Sequence, residues 1–276
     1  MARFSQRFGY VANTVQFERM DDTLRNRIWN KFYIEHFDPY DVYDLENAIT
    51  NIERMMDKMG ILYEFPHDTK IRRANAVKLQ SFLIKNSEWY LMYDFIENHL
   101  ELINEDEVQN VIDEYNRILE EEVSGYRIIN GMVASIIAES EVQSISNALN
   151  TPYNAVNTHI NKALSLFADR KKPDYENSIK ESISAVEALC KIIVEDDKTS
   201  LGQALRKLEL KGVELHGGLK TALDKIYGYT SDENGIRHAG IDFKNAPSED
   251  AQFMLVSCSA FVNYLIVKWE KSKEMK

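Results

Sequence analysis

The chain has 276 residues, 44% of them hydrophobic and 28% charged, with only 11 Gly and 5 Pro. That composition belongs to a soluble globular protein with room for two ordinary domains or one large helical domain, and with few long loops. A formal net charge of −11 works against non-specific binding to nucleic acid, which draws on positive potential, so contact with RNA would need a local basic patch.

In chain order, Leu24, Ile28 and Phe32 recur every four residues within Met20–Phe32 and predict an amphipathic helix. Asp21 or Asp22 suits its N-cap, and Asp38-Pro39 stops it. Tyr43, Leu45, Ile49, Ile52 and Met56 mark a second helix, for which Gly60 fits the C-cap. Glu64-Phe-Pro-His67 reads as a turn, and Lys70–Lys85 as a helix. Glu88–Leu102 carries Trp89, Tyr90, Tyr93 and Phe95, expected in the core rather than as a base-stacking platform. Val108–Leu119 closes the set. Tyr126–Ile137 differs: β-branched residues flank Asn130-Gly131, a strong hairpin signal, so one small β-hairpin is expected near 126–137. A helix follows from Glu139 to about Asn150.

Beyond Thr151-Pro152 the pattern is wholly helical. Ala155–Arg170 is followed by the break Arg170-Lys-Lys-Pro-Asp174, where Asp174 suits an N-cap. Tyr175–Glu195 carries the stripe Ile179, Ile183, Val186, Leu189 and Ile193 beside a second stripe of Lys180, Ser184, Glu187 and Lys191. Ser200-Leu-Gly-Gln203 is a capping box for a helix to about Leu210. Gly217-Gly218 precedes a helix over Leu219–Tyr227, and Pro247-Ser248 begins a final helix over Glu249–Lys273. The fold class is therefore mainly α, with domains expected at 1–150 and 151–276.

Cys190 and Cys258 each sit in an apolar helical run, the pattern of free buried thiols in a reducing cytosol. Met1–Phe8 lacks the apolar core of a signal peptide. The longest apolar run, Ala251–Val267, is broken by Gln252, Ser257, Ser259 and Asn263. It falls short of the roughly 18–20 residues that span a bilayer. A cytoplasmic chain without membrane contact is expected.

The stretch most suggestive of chemistry is Tyr227–Phe243, where Arg237 stands beside His238 among glycines at 228, 235 and 240. An imidazole with an ordinary pKa of about 6.5 can exchange protons near neutrality, and a guanidinium can hold an anion bidentately. Tyr229 and Asn234 in this stretch, with Glu187 and Ser184 on the 175–195 helix, are candidate binding residues. Glu187 and Lys191 also form an ordinary i,i+4 pair. Arg237 and His238 could equally cap the preceding helix and pair with Asp232 or Glu233. Asp232-Glu-Asn-Gly lacks the liganding order of a calcium loop. The clusters Lys70, Arg72, Arg73 and Arg170, Lys171, Lys172 read as solvated faces. His36, His67, His99, His159 and His216 show no metal-ligand spacing. Neither phosphate-loop glycines nor a Gly-x-Ser-x-Gly elbow occurs, so no metal and no cofactor is expected.

Several segments carry a resemblance. Met20–Asn30 (Met-Asp-Asp-Thr-Leu-Arg-Asn-Arg-Ile-Trp-Asn) and Glu122–Gly131 resemble the fourth variety of the AbiJ-like N-terminal domain, a bacterial abortive-infection family of phage defence. Pro173–Ala188, Tyr227–Ala239 and Asp250–Leu265 resemble the HEPN-type helical domain that accompanies it. The resemblance implies a C-terminal bundle of four or five helices at 151–276, homodimerisation through it, and a metal-independent endoribonuclease. It implies His238 as general acid-base and Arg237 as phosphate clamp, with RNA and a defence or antitoxin protein as partners. Such RNases separate Arg and His by four to six residues. Counting back from His238, those places hold Ser231, Asp232 and Glu233; counting forward from Arg237, they hold Asp242, Phe243 and Lys244. The adjacent Arg-His pair departs from that spacing, and the alternative is a catalytically inactive interaction or sensor module. The final helix is expected to serve core and dimer interface together.

Overall fold

The computed structural model describes residues 15–36, 50, 53–61, 77–136, 138–169, 172–231 and 246–274. The fold is mainly α-helical with one two-stranded antiparallel hairpin among the described residues, as the periodicity predicts. Contacts divide the chain into two compact units, 1–137 and 138–276.

In the first unit, helix α1 (Asp22–His36) begins where the Asp21 carboxylate accepts the backbone N–H of Leu24 at 2.8 Å, so Asp21 is the N-cap. Its predicted stripe is inside: Leu24, Ile28 and Phe32 are fully buried. Phe32 meets Phe95 edge-on, with ring centroids 5.0 Å apart. Phe95 lies on α2 (Trp89–Leu100). Tyr93 and Phe95 are buried as expected, whereas Tyr90 faces solvent, one turn-face away from the core ridge. Gly60 adopts the left-handed conformation, φ 65°, that the predicted C-cap requires. Between residues 77 and 88 a short helical stretch widens into a π-helical turn, Phe82–Asn86. Such a turn leaves backbone acceptors without an i→i+4 partner. Buried Arg25 meets them: its guanidinium donates to the carbonyls of Leu83 (2.6 Å) and Ser87 (3.0 Å).

Helix α3 (Glu105–Glu121) leads to β1 (Arg127–Ile129) and β2 (Met132–Ala134), paired with Ile128 opposite Val133. Asn130 and Gly131 have φ of 49° and 77°, the two positive angles of a tight hairpin turn. The Asn116 amide donates to the Ile128 carbonyl and its oxygen accepts the Ile128 N–H. The Glu97 carboxylate accepts the Val133 N–H at 2.7 Å.

The second unit contains α4 (Glu139–Leu149), α5 (Asn154–Ala168), α6 (Tyr175–Val194), α7 (Leu201–Lys207), a 3-10 turn (Leu208–Lys211), α8 (Gly217–Ser231) and α9 (Ser248–Glu274). The expected domain boundary at 150 falls between α4 and α5, while α4 packs on α9 and α5. The long α6 is the hub, packed against α5, α9 and α7. Asp174 caps it by accepting the N–H of Asn177 at 3.0 Å. Between α5 and α6 the contact is close: the buried Ser178 hydroxyl donates to the Ala163 carbonyl at 2.8 Å. The Ser200–Gln203 capping box opens α7. The helix expected to run on to Leu210 instead tightens into the 3-10 turn and ends at Gly212, φ 84°.

Helix α9 is long and apolar enough over Ser248–Lys273 to cross a membrane, a longer apolar reach than the broken run 251–267 foretold, and 44% of its apolar 18-residue window is buried. Its inner ridge, including Met254, Leu255, Cys258, Val262 and Leu265, is packed inside the unit. Polar side chains anchor it to α4: Gln252 donates to the Glu141 carboxylate and Asn263 to the Ser144 carbonyl. Those are the contacts of a core helix.

Candidate functional site

The stretch around Arg237 runs from the C-terminal end of α8 toward the start of α9. Arg237, His238 and Asn234 lie outside the described residues, and Tyr229 lies in the last turns of α8. Glu187 and Ser184 are described, on the half-exposed side of α6. Glu187 pairs with Lys191 at 2.8 Å. The Ser184 hydroxyl donates back to the Lys180 carbonyl at 2.8 Å, a common arrangement for serine within a helix. Each is thus engaged within its own helix.

Elsewhere in the unit a shallow apolar cleft, with only about 20 Å³ of room, is bounded by Ile183 and Val186 of α6, Leu201 of α7, Leu223 and Ile226 of α8, and Ser257, Cys258 and Phe261 of α9. Its polar groups are the Ser257 hydroxyl and the Cys258 thiol. Burial pushes that thiol up to about 12. Burial, with Glu187 adding its charge, does the same to Cys190. A thiol held protonated at neutral pH is neither a nucleophile nor a metal ligand, and both cysteines are free. The cleft is water-sized, and its lining supplies no acid, base or charge.

One polar pair escaped the reading of the sequence. The Nδ1 of His159 on α5 sits 2.6 Å from the Glu181 carboxylate on α6, both side chains about a quarter to a third exposed. A carboxylate on Nδ1 fixes the ring and leaves Nε2 as the free nitrogen. This is the base half of a catalytic arrangement, but no nucleophile is joined to it by a described contact. The sequence signal was weak: the two residues stand 22 apart, and only the register of the α5–α6 hairpin brings them together. Two other histidines, His99 and His216, make structural contacts. Buried His99 bonds the Tyr115 hydroxyl at 2.7 Å and meets Phe32 edge-on, while His216 accepts the N–H of Gly218 at the start of α8. Among the described residues no group of three or more His, Cys, Asp or Glu could hold a metal ion.

The chain is thus a mainly helical protein of two units, the first carrying a side-chain-braced hairpin and the second an all-helical bundle. Residues 2–151, more than half of its length, match the family described as AbiJ N-terminal domain 4, and the chain belongs to that family. The family's name ties it to abortive infection, the defence against phage. The match covers the first unit and ends just beyond α4. No curated protein and no solved structure matches the chain.

Proposed function

We propose that this protein is an anti-phage effector of abortive infection whose second unit is a HEPN-type bundle that cleaves RNA without a metal, in the cytoplasm and as a homodimer. Membership of the AbiJ family carries the reading. The four longer helices beyond residue 151, α5, α6, α8 and α9, support it, since a HEPN-type domain is a bundle of four or five. In this mechanism His238 takes the proton of an RNA 2′-hydroxyl as general base, and the freed oxygen attacks the adjacent phosphorus. The 5′-oxygen leaves and receives a proton from the general acid. Arg237 holds the phosphate and its developing charge. Neighbours on a helix diverge by about 100°, so the base and the clamp meet on one phosphate in a turn or across two protomers. Tyr229 and Asn234 belong to the binding surface of the same stretch. A defence or antitoxin protein serves as the partner that restrains the effector.

The test is cleavage of RNA in EDTA by wild type and by His238→Ala. We expect wild type to cut and the variant to lose both cleavage and toxicity in phage-infected cells. Wild-type protein that cuts no RNA under phage-triggered conditions sinks the proposal.

The adjacency of Arg237 and His238, against the four-to-six-residue separation of such RNases, favours a second reading. In it the unit is a non-catalytic interaction or sensor module that uses the same surface. The engagement of Glu187 and Ser184 within α6 agrees with it. Arg237→Ala would then change partner binding with no nuclease activity to lose. RNA cleavage that disappears with His238 excludes it.

A further inference from the structure

Four aromatic rings of the first unit form a row along its surface. Phe17 meets Tyr126 edge-on, Tyr126 stacks with Trp89, and Trp89 meets Tyr90 edge-on, with ring centroids 6.0, 5.6 and 5.9 Å apart. Phe17 is 47% and Tyr90 42% exposed, and Tyr126 and Trp89 are half-buried. Buried Tyr93 touches both Tyr126 and Trp89, so the row stands on the core. A single exposed ring needs no explanation, but a contiguous row marks an interaction surface.

The backbone that carries the row is held by strain and by buried polar groups. Val123 follows α3 in the left-handed conformation, φ 57°, while the Ser124 N–H returns to the Leu119 carbonyl at 2.8 Å. Glycine is the usual residue at such a helix end, and a β-branched residue is strained there. Buried Gln16 bonds the segment three times. Its N–H donates to the Val123 carbonyl, its side-chain amide donates to the Glu122 carbonyl, and its own carbonyl accepts the Gly125 N–H. The buried Arg127 guanidinium donates to the Ser124 and Tyr126 carbonyls. The Phe17 ring lies against Gly125, where a Cβ would run into it. Rings that face water are thus fixed as firmly as a core, which is the arrangement of a preorganised binding site.

Charge decides what such a row attracts. The unit that carries it, 1–137, holds 24 Asp and Glu against 15 Lys and Arg, whereas the second unit holds 20 against 18. Exposed Glu18 and Glu88 stand next to Phe17 and Trp89 in the chain, and the Glu18 N–H donates to the Tyr126 hydroxyl at 3.4 Å. A single nucleic-acid strand could stack its bases on these rings, but the acidic unit repels its phosphates. A guanidinium answers both features, because it stacks flat on aromatic faces and pairs with carboxylates.

We propose that the row Phe17, Tyr126, Trp89 and Tyr90 docks an arginine-bearing segment of another protein, with guanidinium groups stacked on the rings and paired with Glu18 and Glu88. The site belongs to the first unit and stands whether or not the second cleaves RNA.

The full chain is titrated by calorimetry with an arginine-glycine repeat peptide, its lysine counterpart of equal charge, a proline-rich peptide and oligothymidylate, and circular dichroism confirms that each variant is folded. Wild type is expected to bind the arginine peptide several-fold more tightly than the other three. Phe17→Ala and Tyr90→Ala each remove an exposed ring and should weaken that binding about three- to fivefold. Gly125→Ala keeps every ring but displaces Phe17, and should weaken it as Phe17→Ala does. Glu88→Lys should weaken it and flatten its dependence on salt. Equal affinity for the arginine and lysine peptides, binding unmoved by Phe17→Ala and Tyr90→Ala, tighter binding of oligothymidylate or of the proline-rich peptide, or no binding of the arginine peptide overturns the proposal.

Discussion

The two units keep their backbones satisfied in different ways. In the first, the chain departs from regular structure and individual side chains repair the departures. Arg25 serves the π-helical turn, Asn116 and Glu97 serve the hairpin, and Ser124 accepts the backbone N–H of Tyr126 while bonding the Tyr93 hydroxyl. In the second, long helices satisfy themselves, and small residues let α5 and α6 approach closely, with Ser178 reaching across to Ala163. Stability in the first unit therefore hangs on a few buried polar contacts between residues far apart in sequence. In the second it is spread over many ordinary packing contacts. Buried acceptors left without a donor are expensive, while a lost neutral hydrogen bond in a well-packed interface costs little.

The largest expected effect is Arg25→Met, which keeps much of the apolar stem and removes the donors to the Leu83 and Ser87 carbonyls. We expect a loss of about 2 kcal/mol in urea denaturation: the Ser87 carbonyl loses its donor, at roughly 1–3 kcal/mol, while the Leu83 carbonyl keeps the Ser87 hydroxyl at 2.8 Å. A loss below about 1 kcal/mol would show that the π-helical turn stands without its brace and would erase the contrast. Ser178→Ala in the second unit should cost only about 1 kcal/mol. Because Cys190 and Cys258 are buried with their thiols held up to about 12, their alkylation at pH 8 reports opening of this unit, and its rate should rise only a few-fold in the variant. A rise as large as the effect of Arg25→Met would mean that α5 and α6 depend on that one bond.

The smallest effect concerns the surface of the first unit. The Arg27 guanidinium, hydrogen-bonded to Glu121 at 2.5 Å, holds that carboxyl below its ordinary value. A carboxyl lowered in the folded state stabilises it fully above the ordinary carboxylate pKa. That stabilisation is lost as pH falls through the lowered folded value. Glu121 is 42% exposed, so the contribution is about 0.5 kcal/mol. Stability compared at pH 6 and pH 3 should fall slightly less in Glu121→Gln, which leaves the Arg27–Glu122 pair in place, than in wild type. An equal fall in both would show that the pair contributes nothing.

What could be read from the sequence divides along the same line. Local signals held: the Leu24, Ile28 and Phe32 stripe, Asn130-Gly131 at the hairpin, Asp174 and the Ser200–Gln203 box as caps all lie within one or two turns of what they specify. The π-helical turn did not announce itself, because its support, Arg25, lies 58 residues from Leu83. Nor did the His159–Glu181 pair, which needs the register of two helices. At the candidate site the helical face carrying Ser184 and Glu187 was legible, and so was the i,i+4 partner Lys191. The role of Arg237 and His238 turns on geometry in a stretch outside the described residues, where spacing alone leaves two readings.

The hairpin carries a consequence for how the first unit meets other chains. A strand edge normally offers its N–H and C=O groups to any extended peptide that drifts past, the usual route to strand addition and to aggregation. Here the strands are three residues long, Asn116 occupies both outward groups of Ile128, and Glu97 occupies the outward N–H of Val133. The hairpin is thus closed off at both backbone groups of Ile128 and at the Val133 N–H, so an extended peptide finds few strand groups there to add to.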